Sequence, residues 1–276
     1  MGNTPIKYLL AGGIIMLGLA GIAGTASAAD QSAMKKDWGK YQVGDRRSGF
    51  TYAEPETRAM QTDDFENPGM LWVEKGEDLW NQVDGKAGKS CASCHKSAAE
   101  SMKGTATVYP KYDPKTKNIV NLEGRINNCR TEHMQAKAWK YDSDQLLAMT
   151  IYVKRQSFGM PMSVSVDGPA KPFFEAGKKF YHQRRGQLDL ACSNCHGDHA
   201  GGMLRANMLS QGQSNGFPTY RLKWQKVGSL HRRFKGCNTQ VRAEPYKSGS
   251  QEYLDLELYV AWRGRGLPVE TPAVRN

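Results

Sequence analysis

Downstream of its first 28 residues the chain lacks any uninterrupted apolar run of the roughly 18 residues that a membrane-spanning helix needs. A multi-span membrane protein is excluded. Cysteine is scarce, six in 276 residues, which excludes a disulfide-dense mini-scaffold. Acid is short relative to base: 27 Asp and Glu against 38 Lys and Arg, a formal charge of +11. Those basic residues form no block of five or six, which argues against a nucleic-acid tail. Small anions, acidic protein faces and cofactor carboxylates are the expected partners of this charge. Apolar residues are also lean, at 39%. Six Trp, eight Phe and twelve Tyr nevertheless argue against a disordered chain. The length fits two ordinary domains.

Residues 1–28 read as an export signal. Lys7 supplies the positive end, Tyr8 to Ile22 the apolar run, and Ala26-Ser27-Ala28 the small residues a signal peptidase reads. Cleavage is expected between Ala28 and Ala29, leaving a mature chain of formal charge +10 that works in the periplasm. An unpaired thiol in such a compartment needs a reason to exist.

Four of the six cysteines occur in two copies of C-x-x-C-H: Cys91, Cys94, His95 and Cys192, Cys195, His196. This motif attaches c-type haem. Two thioethers reach the vinyl positions on one edge of the porphyrin, and the adjacent imidazole swings under the iron. A redox C-x-x-C or a four-Cys zinc site would not require a His after each pair. Two covalent haems are therefore expected.

The chain is an internal duplication. Glu74, Gly76, Gln82, Gly85 and the first motif recur 101 residues later as Glu175, Gly177, Gln183, Gly186 and the second. Leu122, Arg125 and Cys129 recur at an offset of 108 as Leu230, Arg233 and Cys237. Gly159-Met160-Pro161 answers to Gly266-Leu267-Pro268 at an offset of 107. A period near 100 means two whole domains rather than a solenoid. In each half a helix precedes the motif, over Glu74–Gln82 and Glu175–Gln183, and a second helix closes the half. Capping boxes at Asp142/Gln145 and at Ser248/Gln251 are expected to start the closing helices. Such halves are small all-α domains whose core is partly porphyrin, which accounts for the lean apolar content. The expected domains are 70–165 and 170–276, with residues 29–69 an arm lying across the domains or a partner.

Each iron needs a second axial ligand. Met160-Pro161 has the usual look of one, but its counterpart is Leu267-Pro268, and Leu cannot ligate. Cys129 and Cys237 recur at equivalent places, so each is expected to serve its own iron. A Cys129–Cys237 disulfide is the alternative. Met160, His133, His182, His199 and His231 are rivals, more for Cys129 than for Cys237. A thiolate donor would lower the haem potential and suggests chemistry at the sulfur itself.

The two motifs, the third Cys of each half, and Arg233-Phe234-Lys235-Gly236-Cys237 running on to Arg242-Ala243-Glu244-Pro245 resemble the SoxA family. These are dihaem c-type cytochrome subunits of sulfur-oxidising SoxAX complexes. The resemblance covers roughly residues 70–276. It implies two cytochrome c-like domains, with haems ligated by His95 and Cys129 and by His196 and Cys237. It implies that Cys237 is the active-site cysteine, carried as a persulfide, and that Arg233 contacts substrate. The implied activity is L-cysteine S-thiosulfotransferase, coupling thiosulfate to a cysteine of the SoxY subunit of the SoxYZ carrier. The implied partners are SoxX and a small c-type cytochrome acceptor. The residues agree independently: thiosulfate is a dianion, and a guanidinium offers its sulfonate a bidentate fork. Pairing to a haem propionate is the rival role for Arg233. A plain electron-transfer dihaem cytochrome would need Met or His at both irons. A dihaem peroxidase would need an open iron and a distal acid–base group, and no recurring His or Glu offers one.

Overall fold

A computed structural model describes residues 1–2 and 38–276; the expected export signal, apart from Met1 and Gly2, lies outside the described residues. Residues 38–276 form one unit. It opens with an irregular segment and the helix α1 (Pro55–Thr62). The first half then holds α2 (Met70–Asn81), α3 (Cys91–His95), a hairpin of β1 (Lys111–Asp113) and β2 (Asn118–Val120), α4 (Leu122–His133) and α5 (Asp144–Arg155). The second half repeats the plan with α6 (Lys171–His182), β3 (Thr219–Arg221), β4 (Lys226–Gly228), α7 (Leu230–Gln240) and α8 (Gln251–Arg263), and ends on β5 (Ala273–Arg275). Short strands thus join the expected helices inside the stretch between motif and third Cys. No helix among the described residues is long and apolar enough to cross a membrane.

The duplication is visible in matching contacts. In each half the first and last helices cross where the first carries glycine. A Cβ on Gly76 would stand 2.4 Å from the Ala148 carbonyl oxygen, and one on Gly177 only 2.0 Å from that of Asp255. Backbone against backbone leaves no room for a side chain, which is why both positions are Gly. The cysteine-bearing helices are capped alike: Gly124 N–H donates to Asn121 Oδ1 (2.9 Å) and Arg232 N–H to Ser229 Oγ (3.0 Å). The closing helices bury the apolar rows read from sequence, Leu146, Leu147, Met149, Ile151 and Val153 in α5 and Leu256, Leu258 and Val260 in α8.

The capping residues of those closing helices differ from expectation. Ser143, not Asp142, caps α5, its Oγ accepting from Leu146 N–H at 3.4 Å. Ser250 precedes α8 and makes no side-chain cap. Asp142 and Ser248 bond to each other instead, at 2.9 Å, with Ser229 donating to the same carboxylate. A tertiary link between the halves has taken both residues from the local motif.

The halves meet along a pseudo-twofold seam. Pro161 faces Pro268 in an antiparallel bridge. Gly159 N–H donates to Val269 O (2.9 Å) and Gly266 N–H to Met162 O (2.8 Å). Met162 N–H donates to Leu267 O and Val269 N–H to Met160 O, both at 2.9 Å. These four bonds interconvert when equivalent residues are exchanged. Leu147, Ile151 and Val227 pack across the same interface with Trp72 and Tyr220. Beside it lie three buried ionisable residues. His231 Nε2 is 2.9 Å from Glu257 Oε2. Burial, and then the nearby Glu257, push Glu123 up to about 7.

Residues 38–69 contact the second half at several points, and Asp64 pairs with Arg155 of the first at 2.5 Å. Gln61 donates to Glu270 (3.0 Å), Asn67 to Pro272 O (2.9 Å) and Thr57 to the Asn276 side chain (2.9 Å). Gln211 donates to Asp45 O at 2.8 Å. The arm therefore braces both β5, which pairs in parallel with β3, and the loop that follows the second motif.

Gly177→Ala is expected to lose about 1–3 kcal/mol, because the Asp255 carbonyl belongs to a helix backbone that cannot step aside. A lowered urea midpoint would report it. Gly236→Ala is the control: a Cβ there meets nothing within 4 Å, so its midpoint should hold or rise by up to about 1 kcal/mol of helix propensity.

Candidate functional site

The third cysteine of each half is brought to its motif by backbone hydrogen bonds. The loop ahead of the first motif donates from Lys86 N–H to Gln135 O (3.3 Å) and from Ala87 N–H to Met134 O (3.1 Å). Ahead of the second, Gln187 N–H donates to Arg242 O (3.4 Å) and Leu188 N–H to Val241 O (3.3 Å). Each acceptor lies just beyond the cysteine on α4 or α7. The three thiols of each half thereby interact: Cys129 with Cys91 and Cys94, Cys237 with Cys192 and Cys195. All six are free thiols, so Cys129 and Cys237 are not joined as a disulfide.

Local structure holds each motif histidine. Ser90 and Ser93 form a reciprocal capping box at the start of α3, with N···O distances of 3.1 and 2.9 Å. His95 lies against the buried Trp80, ring centroids 5.7 Å apart, and the Trp80 indole N–H donates to Lys96 O at 3.0 Å. The second motif forms a single π-helical turn, Asn194–Asp198. His196 Nδ1 donates to the Ser210 carbonyl at 2.7 Å. That bond leaves Nε2 as the free lone pair, the arrangement that orients metal-ligating imidazoles. The Ser210 loop can close this far only because residue 212 is glycine. A Cβ there would stand 2.8 Å from His196 Cγ.

A c-type haem fits this donor set in each half. Two thiols stand one helical turn apart for thioethers, an imidazole follows, and a third sulfur faces the same motif. Among the described residues no three His, Cys, Asp or Glu converge as a metal-ion cage; a haem iron asks for only two protein ligands.

The two third cysteines differ in electrostatics. Burial pushes the Cys129 thiol up, and Arg125 offsets only part of that. Burial pushes Cys237 up as well, but Arg233, a hydrogen bond with His196, and Arg221 outweigh it and hold the thiol at about 7. Arg233 lies one turn before Cys237 on the same face of α7. Arg221 comes from β3. Its Nε donates to Asn276 O at 2.7 Å, and its Nη2 donates to the same oxygen. Trp224 lies between two guanidiniums, Arg221 at 4.8 Å and Arg232 at 4.1 Å from its ring. Burial, and then Arg233 and Arg232, pull Arg221 down to about 10.

The rival imidazoles are engaged elsewhere or exposed. The Met160 backbone sits in the seam between the halves, and its Cε lies 3.5 Å from where a Cβ on Gly104 would stand. His231 is buried against Glu257 and accepts from Gly249 N–H at 2.9 Å. His182 pairs with the Tyr259 hydroxyl at 3.3 Å, and His199 Nδ1 lies 2.8 Å from Asn194 O. His133 is exposed at the end of α4.

A protein-family model described as SoxA/TsdA, cytochrome c domain, matches residues 75–162 and again 176–269. The chain belongs to that family. Its second match ends within the seam segment, and each match spans one motif and one third Cys. The SoxA/TsdA cytochrome c domain is a haem c fold, so the tandem repeat read from sequence is a pair of such domains. The chain is 51% identical over 230 residues to the L-cysteine S-thiosulfotransferase subunit SoxA of Pseudaminobacter salicylatoxidans, covering 83% of this chain and 80% of that one. It is 42% identical over 287 aligned positions to the subunit of the same name from Paracoccus pantotrophus, covering 99% of each. The crystal structure of SoxXA from P. pantotrophus matches with a TM-score of 0.81 at 46% identity, over 84% of this chain and 87% of that one.

Sequence reasoning passed over three features of this SoxA/TsdA site: Ser210, Gly212 and Arg221. The first two act through a carbonyl and a missing side chain, which leave no motif. The third could have been reached by extending the 108-residue offset back through the hairpin, where Tyr112 over Tyr220 and Lys115 over Lys223 are the identities. Gly212→Ala is expected to displace the His196 ring and shift the low-spin electron paramagnetic resonance signal of the second haem, leaving that of the first unchanged.

Proposed function

We propose that this protein is the SoxA-type subunit of an L-cysteine S-thiosulfotransferase of the periplasm, working as a heterodimer with a SoxX cytochrome. The observation that carries the reading is Cys237, a half-buried sulfur one helical turn after Arg233 on α7, with the second motif brought against it. Its two cytochrome c domains, residues 70–165 and 170–276, each hold one haem c. Cys91 and Cys94 attach the first, with His95 and Cys129 as axial ligands. Cys192 and Cys195 attach the second, with His196 and Cys237.

Thiosulfate and a thiol of the SoxY subunit of SoxYZ become a conjugate in which the carrier's Sγ is bonded to the sulfane sulfur of thiosulfate. One S–S bond forms, the carrier thiol gives up one proton, and two electrons leave for SoxX and then a soluble cytochrome c. Bound haem c supplies one-electron redox chemistry and a Lewis acid for the sulfur. The chain's own residues do the rest. Arg233 binds the sulfonate oxygens through its planar fork, which places the dianion beside Cys237. Arg233 and Arg221 keep the Cys237 sulfur deprotonated, so that as thiolate or persulfide it acts as an activated nucleophile and relay. The Ser210 carbonyl keeps His196 in the tautomer whose Nε2 is free. Arg125, at the position equivalent to Arg233, is bound to Asp113 rather than left open to a propionate, which favours the substrate role for Arg233.

Cys237→Ala is expected to abolish thiosulfate-dependent reduction of an acceptor cytochrome in the presence of carrier while both haems stay attached. Turnover at the wild-type rate would leave Cys237 a spectator and the protein an electron carrier. Arg233→Ala is expected to weaken thiosulfate use by about 1.5–3 kcal/mol, a lost charge-assisted contact, seen as a raised KM. An unchanged KM and kcat would assign Arg233 to a propionate.

A further inference from the structure

The hairpins of the two halves superpose residue for residue. Lys111↔Val120, Tyr112↔Ile119 and Asp113↔Asn118 pair in the first. Thr219↔Gly228, Tyr220↔Val227 and Arg221↔Lys226 pair in the second. The offset is 108 at every position, the same offset that relates Arg125 to Arg233 and Cys129 to Cys237. Asp113 and Arg221 therefore occupy one structural position with opposite charge.

In the first half this position neutralises the helix arginine. Asp113 Oδ2 accepts from Arg125 Nη2 at 3.0 Å, and the Asp113 side chain is only 6% exposed. The guanidinium is used up inside the domain. In the second half the same position adds a guanidinium beside Arg233; Arg221 is held by Asn276 O, whereas Arg233 has no carboxylate partner among the described residues. Two half-buried cations side by side repel each other and disfavour the folded state. The structure nevertheless holds Arg221 firmly. Two of its nitrogens converge on Asn276 O, the end of a strand that pairs with β3, and Trp224 backs its plane. Its Nη1 makes no hydrogen bond to a described residue. An immobilised guanidinium with a free edge, placed by the hairpin register beside an arginine that has no internal carboxylate, is arranged for an anion from solution.

We propose that Arg221 is a second substrate-binding and specificity-determining residue: together with Arg233 it forms a two-guanidinium seat for the sulfonate of thiosulfate beside Cys237. This rests on the reading of Cys237 as the reacting sulfur. It gives the sulfonate oxygens N–H donors from two guanidiniums rather than one. It also separates the halves chemically. The first keeps every ligand of the duplication but has an internal carboxylate where the second has room for substrate.

The test uses the full haem-loaded complex with its partner cytochrome and carrier, measuring thiosulfate dependence for Arg221→Lys, Arg221→Gln and Arg221→Asp. KM is expected to rise in that order, by about threefold, more than tenfold and more than a hundredfold. Haem stoichiometry and absorption spectrum should not change. A Gln variant with wild-type KM, alongside an inactive Cys237→Ala control, overturns the inference and leaves the function standing. A Cys237→Ala control that still turns over overturns the function instead. Should the Gln variant fail to retain its haems, the Lys variant decides: a KM equal to wild type overturns the two-guanidinium seat, because an ammonium lacks the fork.

Discussion

A cysteine near the end of a helix can be carried to many places by small changes in how that helix stops. Here the stop is fixed by the loop that feeds the haem motif. Two N–H groups of that loop donate to carbonyls just past the third cysteine, in both halves and at equivalent residues. The same bonds that end the helix therefore set where its sulfur stands relative to the motif. The convergence of three thiols, the hydrogen bond between Cys237 and His196 and the approach of Arg233 all follow from that registration. So does the equivalence of the halves, because a slip of one residue would rotate the cysteine by about 100° around the helix.

Onto this common frame the second half adds charge and the first cancels it. The contrast needs few differences. Both third cysteines are buried, and burial alone raises a thiol. Arg125 is consumed by an internal carboxylate, and the Cys129 thiol is raised. Around Cys237 the guanidiniums and the imidazole outweigh burial. Two copies of one domain thus serve different ends through electrostatics, with their helices and crossings unchanged.

The seam ties the two environments together. Four backbone bonds related by a pseudo-twofold axis leave the equivalent Met160 and Leu267 segments facing each other. The arm over residues 38–69 then braces the second half at β5 and at the loop carrying Ser210, and reaches the first half through the Asp64–Arg155 pair. Its polar contacts hold Asn276, and through it Arg221, in place.

Much of this was legible along the chain. The two motifs, the offsets of 101 and 108, the helix rows Leu146–Val153 and Leu256–Val260 and the pairing of Arg233 with Cys237 are local patterns. They depend on spacing along one helix or on covalent chemistry, which sequence states directly. Helix starts were less legible. Asp142 and Ser248 satisfy each other across the halves, and no local rule sees a partner 106 residues away. The role of glycine at 76, 177 and 212 and of the Ser210 carbonyl lies in what approaches them, which depends on packing. The opposition of Asp113 and Arg221 was written in the sequence too. It acquired meaning only when two hairpins of matching register placed the two residues beside equivalent arginines, because charge acts through space and the chain records only order.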